Sequence, residues 1–508
     1  MPHLTKSKFV AGLKCPRRLW FMVYDPLPYE EAAPGSAMDI GNRVGVGAHA
    51  LFPGGVEVTE APWEHQLAIR KTQQLMEDPE VPAIFEGAFE FEGVRVRVDV
   101  LERLKTANGD TWGLREVKSS LAVREESLHV EDAAIQLHVL EGSDVSIDNV
   151  ELVHVSRDYI LEETGIEWDR ILYRADITEA ARCRMIKFPD ELKSAWNVLE
   201  EAEPPEVQPF KSTCNKPYGC DYWERCTAAK PKDWIQSLPR IGLKVLKKLT
   251  DDGIEGITGI PDDFPLNANQ ERMRNVLISG EPYVSEDLFK SLHNFGPPAY
   301  YLDFEFMNAI LPPYPGTHPN QGIAFQYSLH HVDANGNVEH FEFLGDPEVD
   351  PRRELAERLI RDVKDDQVPI LAYNAGTEVG VIRNLIALFP DLSTSLEVIS
   401  DRILDLLPIV RNHTYFEGYQ GSFSLKAVGP TLVPELTYST LDGVSVGTDA
   451  ARVFWLLTMG DIEDPEEAYE LQRQLLDYCK LDTLLLLEVH RCLREIATKK
   501  AEPQVMET

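Results

Sequence analysis

Basic charge is what this chain lacks most. Against 84 acidic residues stand 50 lysines and arginines, a formal net charge of −34 over 508 residues. A protein that coats nucleic acid needs the opposite balance, because pairing Lys and Arg with phosphates drives such binding. The charge argues against that class. A nuclease is not excluded, since its carboxylates hold metal ions and its cations can be local. No apolar run reaches the length that crosses a bilayer, which excludes spanning helices. The opening MPHLTKSKFVAGLKCP lacks the apolar stretch of a secretory signal, so a soluble, cytoplasmic chain with no membrane partner is expected. Cysteine is scarce, seven in all, and in a reducing compartment disulfides are not expected. Internal repeats and long low-complexity stretches are also missing. Hydrophobic residues nonetheless make up 43%, ample for real cores. The length suggests roughly three domains.

The few cysteines are unevenly placed. Cys15 stands alone near the start, and Cys214, Cys220 and Cys226 follow in CNKPYGCDYWERC, with five residues between each pair. One distant cysteine and a tight trio can close four ligands around one metal centre and tie together the ends of the enclosed segment. Four unrelated buried thiols is the plain alternative, because free cysteine is among the most buried residue types. Cys183, Cys479 and Cys492 are scattered, the last two in a helical pattern. Zinc accepts four thiolates, but its structural sites more often show Cys pairs two to four residues apart. The wide spacing leans towards an iron–sulfur cluster.

Two segments break the acidic trend. Residues 1–24 carry Lys6, Lys8, Lys14, Arg17 and Arg18 without an acid, and residues 240–249 carry Arg240, Lys244, Lys247 and Lys248 likewise. Both suit phosphate contacts, or simply solvated helix faces. The proline-rich EAEPPEVQPF at 201–210 reads as a connector into the cysteine trio. Residues 231–295 read as short helices with turns, and GPP at 296–298 precedes a strand. The expected domains are therefore 1–230, a helical linker 231–295, and 296–508, in an α/β chain. Within the linker, SLPRIGLKVLKKL loosely resembles a helix-hairpin-helix, with Gly242 as its one turn glycine.

The segment GVRVRVDVLER alternates, placing Val94, Val96, Val98 and Val100 on one face and Arg95, Arg97 and Asp99 on the other. The next strand, WGLREVKSS, puts Glu116 and Lys118 on one face by the same period. Asp99 and Glu116 offer hard oxygen ligands suited to Mg2+ or Mn2+. Lys118 would orient or deprotonate an attacking water and stabilise charge on a phosphate. A surface hairpin with a cross-strand ion pair is the plain alternative.

An aspartate followed by Glu-x-Lys resembles the PD-(D/E)XK nuclease pattern. With His49 upstream in GNRVGVGAHALFP and Gln136 in the helix EDAAIQLHVL, residues 1–230 resemble the RecB-like nucleases that carry an iron–sulfur cluster. These include the CRISPR-associated RecB-like exonuclease and the AddB nuclease domain. The resemblance implies a restriction-endonuclease-like fold, His49 as a further metal ligand, and a structural [4Fe–4S] clasp on Cys15, Cys214, Cys220 and Cys226. Two departures stand out: Leu140 occupies the position where that group usually has tyrosine, and the trio's spacing differs from the form common in AddB.

A second acidic set follows. AYYLDFEF puts Asp303 and Glu305 on one strand face, with Tyr300, Leu302, Phe304 and Phe306 on the other. Two adjacent carboxylates repel unless a cation bridges them. ILAYNAGTEVGVIRNL runs from an apolar strand into a helix, with Asn374 and Glu378 at the junction. In LQRQLLDYCKLDTLLLLEVH, Leu471, Leu475, Tyr478, Leu485 and Val489 form an apolar helical stripe that also holds Asp482, one turn after Tyr478. A lone buried carboxylate costs several kcal/mol without a partner or metal. Asp405, in ILDLLPIV, fits no required role.

This ordered set resembles the DnaQ-like DEDD exonucleases of the tyrosine subtype, whose fold is RNase H-like. Glu378 stands where they usually carry aspartate. The resemblance implies that Asp303, Glu305, Glu378 and Asp482 hold two metals, that Tyr478 positions water, and that cleavage runs 3′→5′. The same stretch resembles an uncharacterised domain often fused behind RecB-like nucleases. The expected function is a Mg2+- or Mn2+-dependent nuclease with two hydrolytic modules, acting on DNA ends or single strands, or on RNA, in repair, recombination or defence. One live module beside a degenerate one is the first alternative. A non-catalytic iron–sulfur nucleic-acid binder or redox sensor is the second.

Overall fold

The computed structural model describes residues 3–505 except 30, 108, 124–127, 217 and 439–446. It is mixed α/β and divides into two compact units, residues 1–228 with 309–320, and 229–308 with 321–508. The segment 231–295, expected as a separate linker, falls within the second unit.

The first unit is built on a seven-stranded sheet. Its strands are β1 (Leu4–Thr5), β2 (Val56–Glu57), β3 (Ala83–Phe91), β4 (Val94–Thr106), β5 (Gly109–Lys118), β6 (Ile147–Val155) and β7 (Leu172–Asp176). The order is β2-β3-β4-β5-β6-β7, with β1 also paired to β4. Val94, Val96 and Val98 bury in the main core with Ala133, Leu137 and Leu140 of the helix His129–Gly142. Val100 does not join them. It packs in a small core with Phe52, Ala83 and Phe85. The even alternation expected of β4 breaks where Glu86, on the neighbouring β3, adopts a left-handed backbone (φ 54°) between the partners of Val98 and Val100.

That irregularity lies beside a gap in pairing. β5 pairs β4 only from Val100 onward, and β1 pairs it only at Val94 and Arg95. Between them Asp99 is left to bond in another way. The helix Lys6–Lys14 starts directly after β1, capped by Thr5, whose hydroxyl accepts the Lys8 amide. The first side chain of that helix is thereby brought to the gap.

The second unit contains β8 (Tyr283–Val284), β9 (Ala299–Asn308), β10 (Gly322–Val332), β11 (Val338–Leu344), β12 (Ile370–Ala372), β13 (Ile403–Asp405) and β14 (Thr414–Tyr415). Five of them form a sheet in the order β11-β10-β9-β12-β13. β10 runs antiparallel to both β11 and β9; β12 runs parallel to β9, and β13 to β12. Tyr300, Leu302 and Phe304 pack with Leu355, Leu359, Ile382 and Leu385 from the helices Arg352–Asp362 and Gly376–Leu388. Asp303 and Glu305 point from β9 to the opposite face, as their alternation requires. That face is covered by the helix Pro465–Val505. Its Leu475, Tyr478, Leu485 and Val489 are buried, each aliphatic side chain contributing roughly 1.5–3 kcal/mol. Among the described residues, no helix is long and apolar enough to cross a membrane.

Candidate functional site

In the first unit, Asp99, Glu116, Lys118 and Gln136 come together. The Asp99 carboxylate accepts the Val117 amide at 2.7 Å, filling the place left by the missing ladder bond. Glu116 is fully buried and receives three side-chain donors: Lys118 at 2.7 Å, Lys6 at 2.9 Å and the Gln136 amide. Lys118 also pairs with Asp132 at 2.8 Å. Burial alone raises the Glu116 pKa, but the Lys118 and Lys6 ammoniums outweigh it and hold the carboxyl at about 2. Asp99 moves the other way, to about 7, through burial and the Glu116 charge. Burial would lower Lys118, yet Glu116, Asp132 and Asp99 raise it well above the usual lysine range. Lys118 is therefore a fixed ammonium here, suited to orienting and charge stabilisation rather than to taking a proton.

His49, the expected further metal ligand, packs on an aromatic ring. It stacks on Phe85 with ring centroids 3.7 Å apart, and burial lowers its pKa. Sequence reasoning missed Lys6 and Asp132. A lysine following a two-residue strand carries no local signal of where it ends up.

Cys15, Cys214, Cys220 and Cys226 line one cavity in the first unit, together with Lys14, Arg17, Arg18 and Trp223. The chain closes this region through its own contacts. Phe21 stacks on Tyr222 at 5.3 Å, Arg18 pairs with Asp221 at 3.1 Å, and Arg225 pairs with Asp25 at 2.6 Å. Burial raises the thiols of Cys214 and Cys226, and nearby cysteines add to the effect. Among the described residues, no three cysteine sulfurs lie within 4.8 Å of one another. A tetrahedral zinc with Zn–S bonds of about 2.3 Å holds its sulfurs about 3.8 Å apart.

The second unit holds the densest acidic cluster. Asp303, Glu305 and Asp482 each place a carboxylate oxygen within 4.8 Å of the others, the one such metal-competent group among the described residues. They line a cavity of about 680 Å3 with Glu378, Tyr478, Lys426 and Arg240. Burial, then Asp482, Glu305 and Glu378, push the Asp303 pKa far upward. Glu305 rises to about 8 through burial and Asp482. Burial lifts Glu378 to about 7, and its Oε2 is buried without a partner. Repulsion on this scale, with an orphaned oxygen, fits a donor set arranged for cations.

Several residues organise this cavity that the sequence did not single out. The Tyr438 hydroxyl donates to Asp482, and Tyr478 also hydrogen-bonds it. Lys426 lies over the rings of Tyr438 and Tyr478 at 4.9 and 5.1 Å and counters the charge of Glu305 and Asp482. Asp405 has a defined role after all. Its carboxylate accepts the amides of Asn374 and Leu407, both at 2.9 Å, bracing the left-handed Asn374 (φ 66°) before the helix that carries Glu378. Arg240 comes from the expected linker and has positive φ (50°). Gly242, the expected hairpin glycine, instead caps the helix Leu243–Asp251 with ordinary negative φ.

A family profile described as a domain of unknown function (DUF2779) matches residues 300–424, about a quarter of the chain. That span includes Asp303, Glu305 and Glu378 but ends before Lys426, Tyr478 and Asp482. Among curated proteins, no match is found.

Proposed function

We propose that the chain is a metal-dependent nuclease with two hydrolytic sites. The observation that carries the reading is the convergence of Asp303, Glu305 and Asp482, from a strand and a distant helix, within 4.8 Å. Folding brings three carboxylates together against their mutual repulsion, and a cation offsets that cost. The order β11-β10-β9-β12-β13 supports an RNase H-like, DnaQ-type fold for the second unit. Divalent cations held there would stabilise charge on the reacting phosphate and generate a nucleophile from water. Asp303, Glu305, Asp482 and Glu378 would hold them. Tyr478, fixed by Asp482, would orient the attacking water. Lys426 and Arg240 would receive phosphate oxygens and exclude a misplaced strand.

In the first unit Asp99 and Glu116 would hold a cation and Lys118 would stabilise the phosphate, as in the PD-(D/E)XK and RecB-like pattern. The four cysteines would carry a structural [4Fe–4S] cluster, a reading supported by the cavity they share. DNA ends or single strands are the proposed substrates, with RNA a further one, and 3′→5′ polarity is proposed for the second site. A second reading, with only the second site hydrolytic, draws on one observation. Two ammoniums already neutralise Glu116, and His49 is turned to Phe85.

End-labelled single- and double-stranded DNA and RNA, with Mn2+ or Mg2+, test both readings. Asp99→Ala and Asp303→Ala should each remove one activity, and the double variant all of them. Loss of every activity in Asp303→Ala alone would support the second reading. Full activity in the double variant would overturn both.

A further inference from the structure

The second unit has another cavity, of about 530 Å3, that shares no residue with the carboxylate cavity. It is lined by Tyr301, His490, Arg491, Arg494, Thr498 and Lys499, with Glu495 beside them. Within a chain of net charge −34, three cations around one cavity are a local reversal of sign. Arg491 is held by Glu488 at 2.7 Å. Arg494 and Lys499 form no ion pair among the described residues.

The cavity also has a buried polar wall. His490 is 1% exposed, and its Nδ1 lies 2.9 Å from the Tyr301 hydroxyl. The neutral ring has two tautomers, and in the one whose Nδ1 accepts the Tyr301 hydroxyl the ring donates from its other nitrogen. In that tautomer the proton sits on Nε2. Burial and Arg494 lower the His490 pKa and keep the ring neutral. Nε2 is buried with no hydrogen-bond partner among the described residues. An unsatisfied buried donor costs about 1–3 kcal/mol, and an anion placed among these cations is the acceptor it lacks.

We propose that this cavity is an anion site for a phosphate group, gripped by Arg494 and Lys499 and backed by Arg491 and His490. Along the helix Pro465–Val505, His490 lies eight residues beyond Asp482, about 12 Å at 1.5 Å per residue. The phosphate belongs either to a nucleic-acid strand or to a free phosphorylated molecule. The site does not depend on the hydrolytic reading of the carboxylates.

The test uses the full-length protein with chelator, so that no metal recruits phosphate to the carboxylates. Binding of inorganic phosphate is followed by 31P line broadening, and binding of a short fluorescent single-stranded DNA by anisotropy. Arg494 and Lys499 are exposed, so Arg494→Ala/Lys499→Ala should fold normally. At least a tenfold loss of phosphate affinity is expected in this variant, and no change in Asp303→Asn. If DNA affinity falls in parallel, the site grips the backbone; if only phosphate affinity falls, it takes a free phosphate compound. Equal phosphate binding by wild type and the double variant, or none by wild type at 10-fold the concentration saturating a typical millimolar site, overturns the proposal.

Discussion

Replacing Glu305 by glutamine should make the metal-free protein more stable. The Glu305 carboxyl is pushed from near 4.5 to about 8 by burial and the neighbouring Asp482. At pH 7.5 the unfolded chain carries it ionised, while the folded site favours the protonated form. Folding therefore takes up a proton against about three pH units, a cost on the order of 4 kcal/mol. The sign follows from linkage: the penalty is absent below the unfolded pKa and grows as pH rises towards the folded one. Glutamine removes the charge but leaves a buried amide to satisfy, which returns about 1–2 kcal/mol of the gain. The net stabilisation is about 2–3 kcal/mol, or roughly 4–12 °C in the melting of a unit this size. Scanning calorimetry in chelator, then in saturating Mn2+, measures both halves of the argument. Wild type should gain from Mn2+, and Glu305→Gln should gain little. A lower melting temperature for the variant in chelator would refute the repulsion argument. An undiminished Mn2+ gain in it would refute Glu305 as a ligand.

Other outcomes follow from the same geometry. Because Glu305 at about 8 and Glu378 at about 7 are largely protonated at pH 6, Mn2+ must displace protons; its calorimetric affinity should climb steeply between pH 6 and 8. Lys6→Met removes one of the two ammoniums on Glu116. Loss of a charged hydrogen bond worth about 1.5–3 kcal/mol should cut first-site cleavage by roughly ten- to a hundredfold, read in an Asp303→Ala background. Anaerobically purified protein should contain iron and acid-labile sulfide; stoichiometric zinc without iron would overturn the cluster assignment. Arg240→Gly should relieve a left-handed backbone and raise stability by about 1 kcal/mol, while weakening substrate binding as the cavity loses a cation.

Period-based reading reached the parts of this protein that local geometry controls. Asp303 and Glu305 share a face of β9 because alternation leaves no other option, and Asp482 sits within a stripe in which Leu475, Tyr478, Leu485 and Val489 are buried. The same rule failed at Val100, where the cause lies on another strand, in the backbone of Glu86. Asp132, Lys426 and Tyr438 were invisible for a similar reason, and Lys6 and Arg240, read only as members of basic segments, could not be placed at a site. Each reaches its site through contacts between distant segments, and nothing adjacent in sequence marks the destination. The segment 231–295 read as a linker because its helices are short, yet it clusters with the second unit and supplies Arg240 to the cavity.

The cavity that gathers Cys15 with the trio at 214–226 imposes an order in time. A ribosome adding about 5–20 residues per second releases Cys15 roughly 10–40 seconds before Cys226 follows it. Throughout that interval Phe21, Arg18 and Asp25 wait for Tyr222, Asp221 and Arg225. The helix that carries Lys6 can meet Glu116 once β5 has emerged, before Tyr222, Asp221 and Arg225 exist. The newborn chain thus passes through a stage with β1 to β7 complete and the cysteine cavity still open.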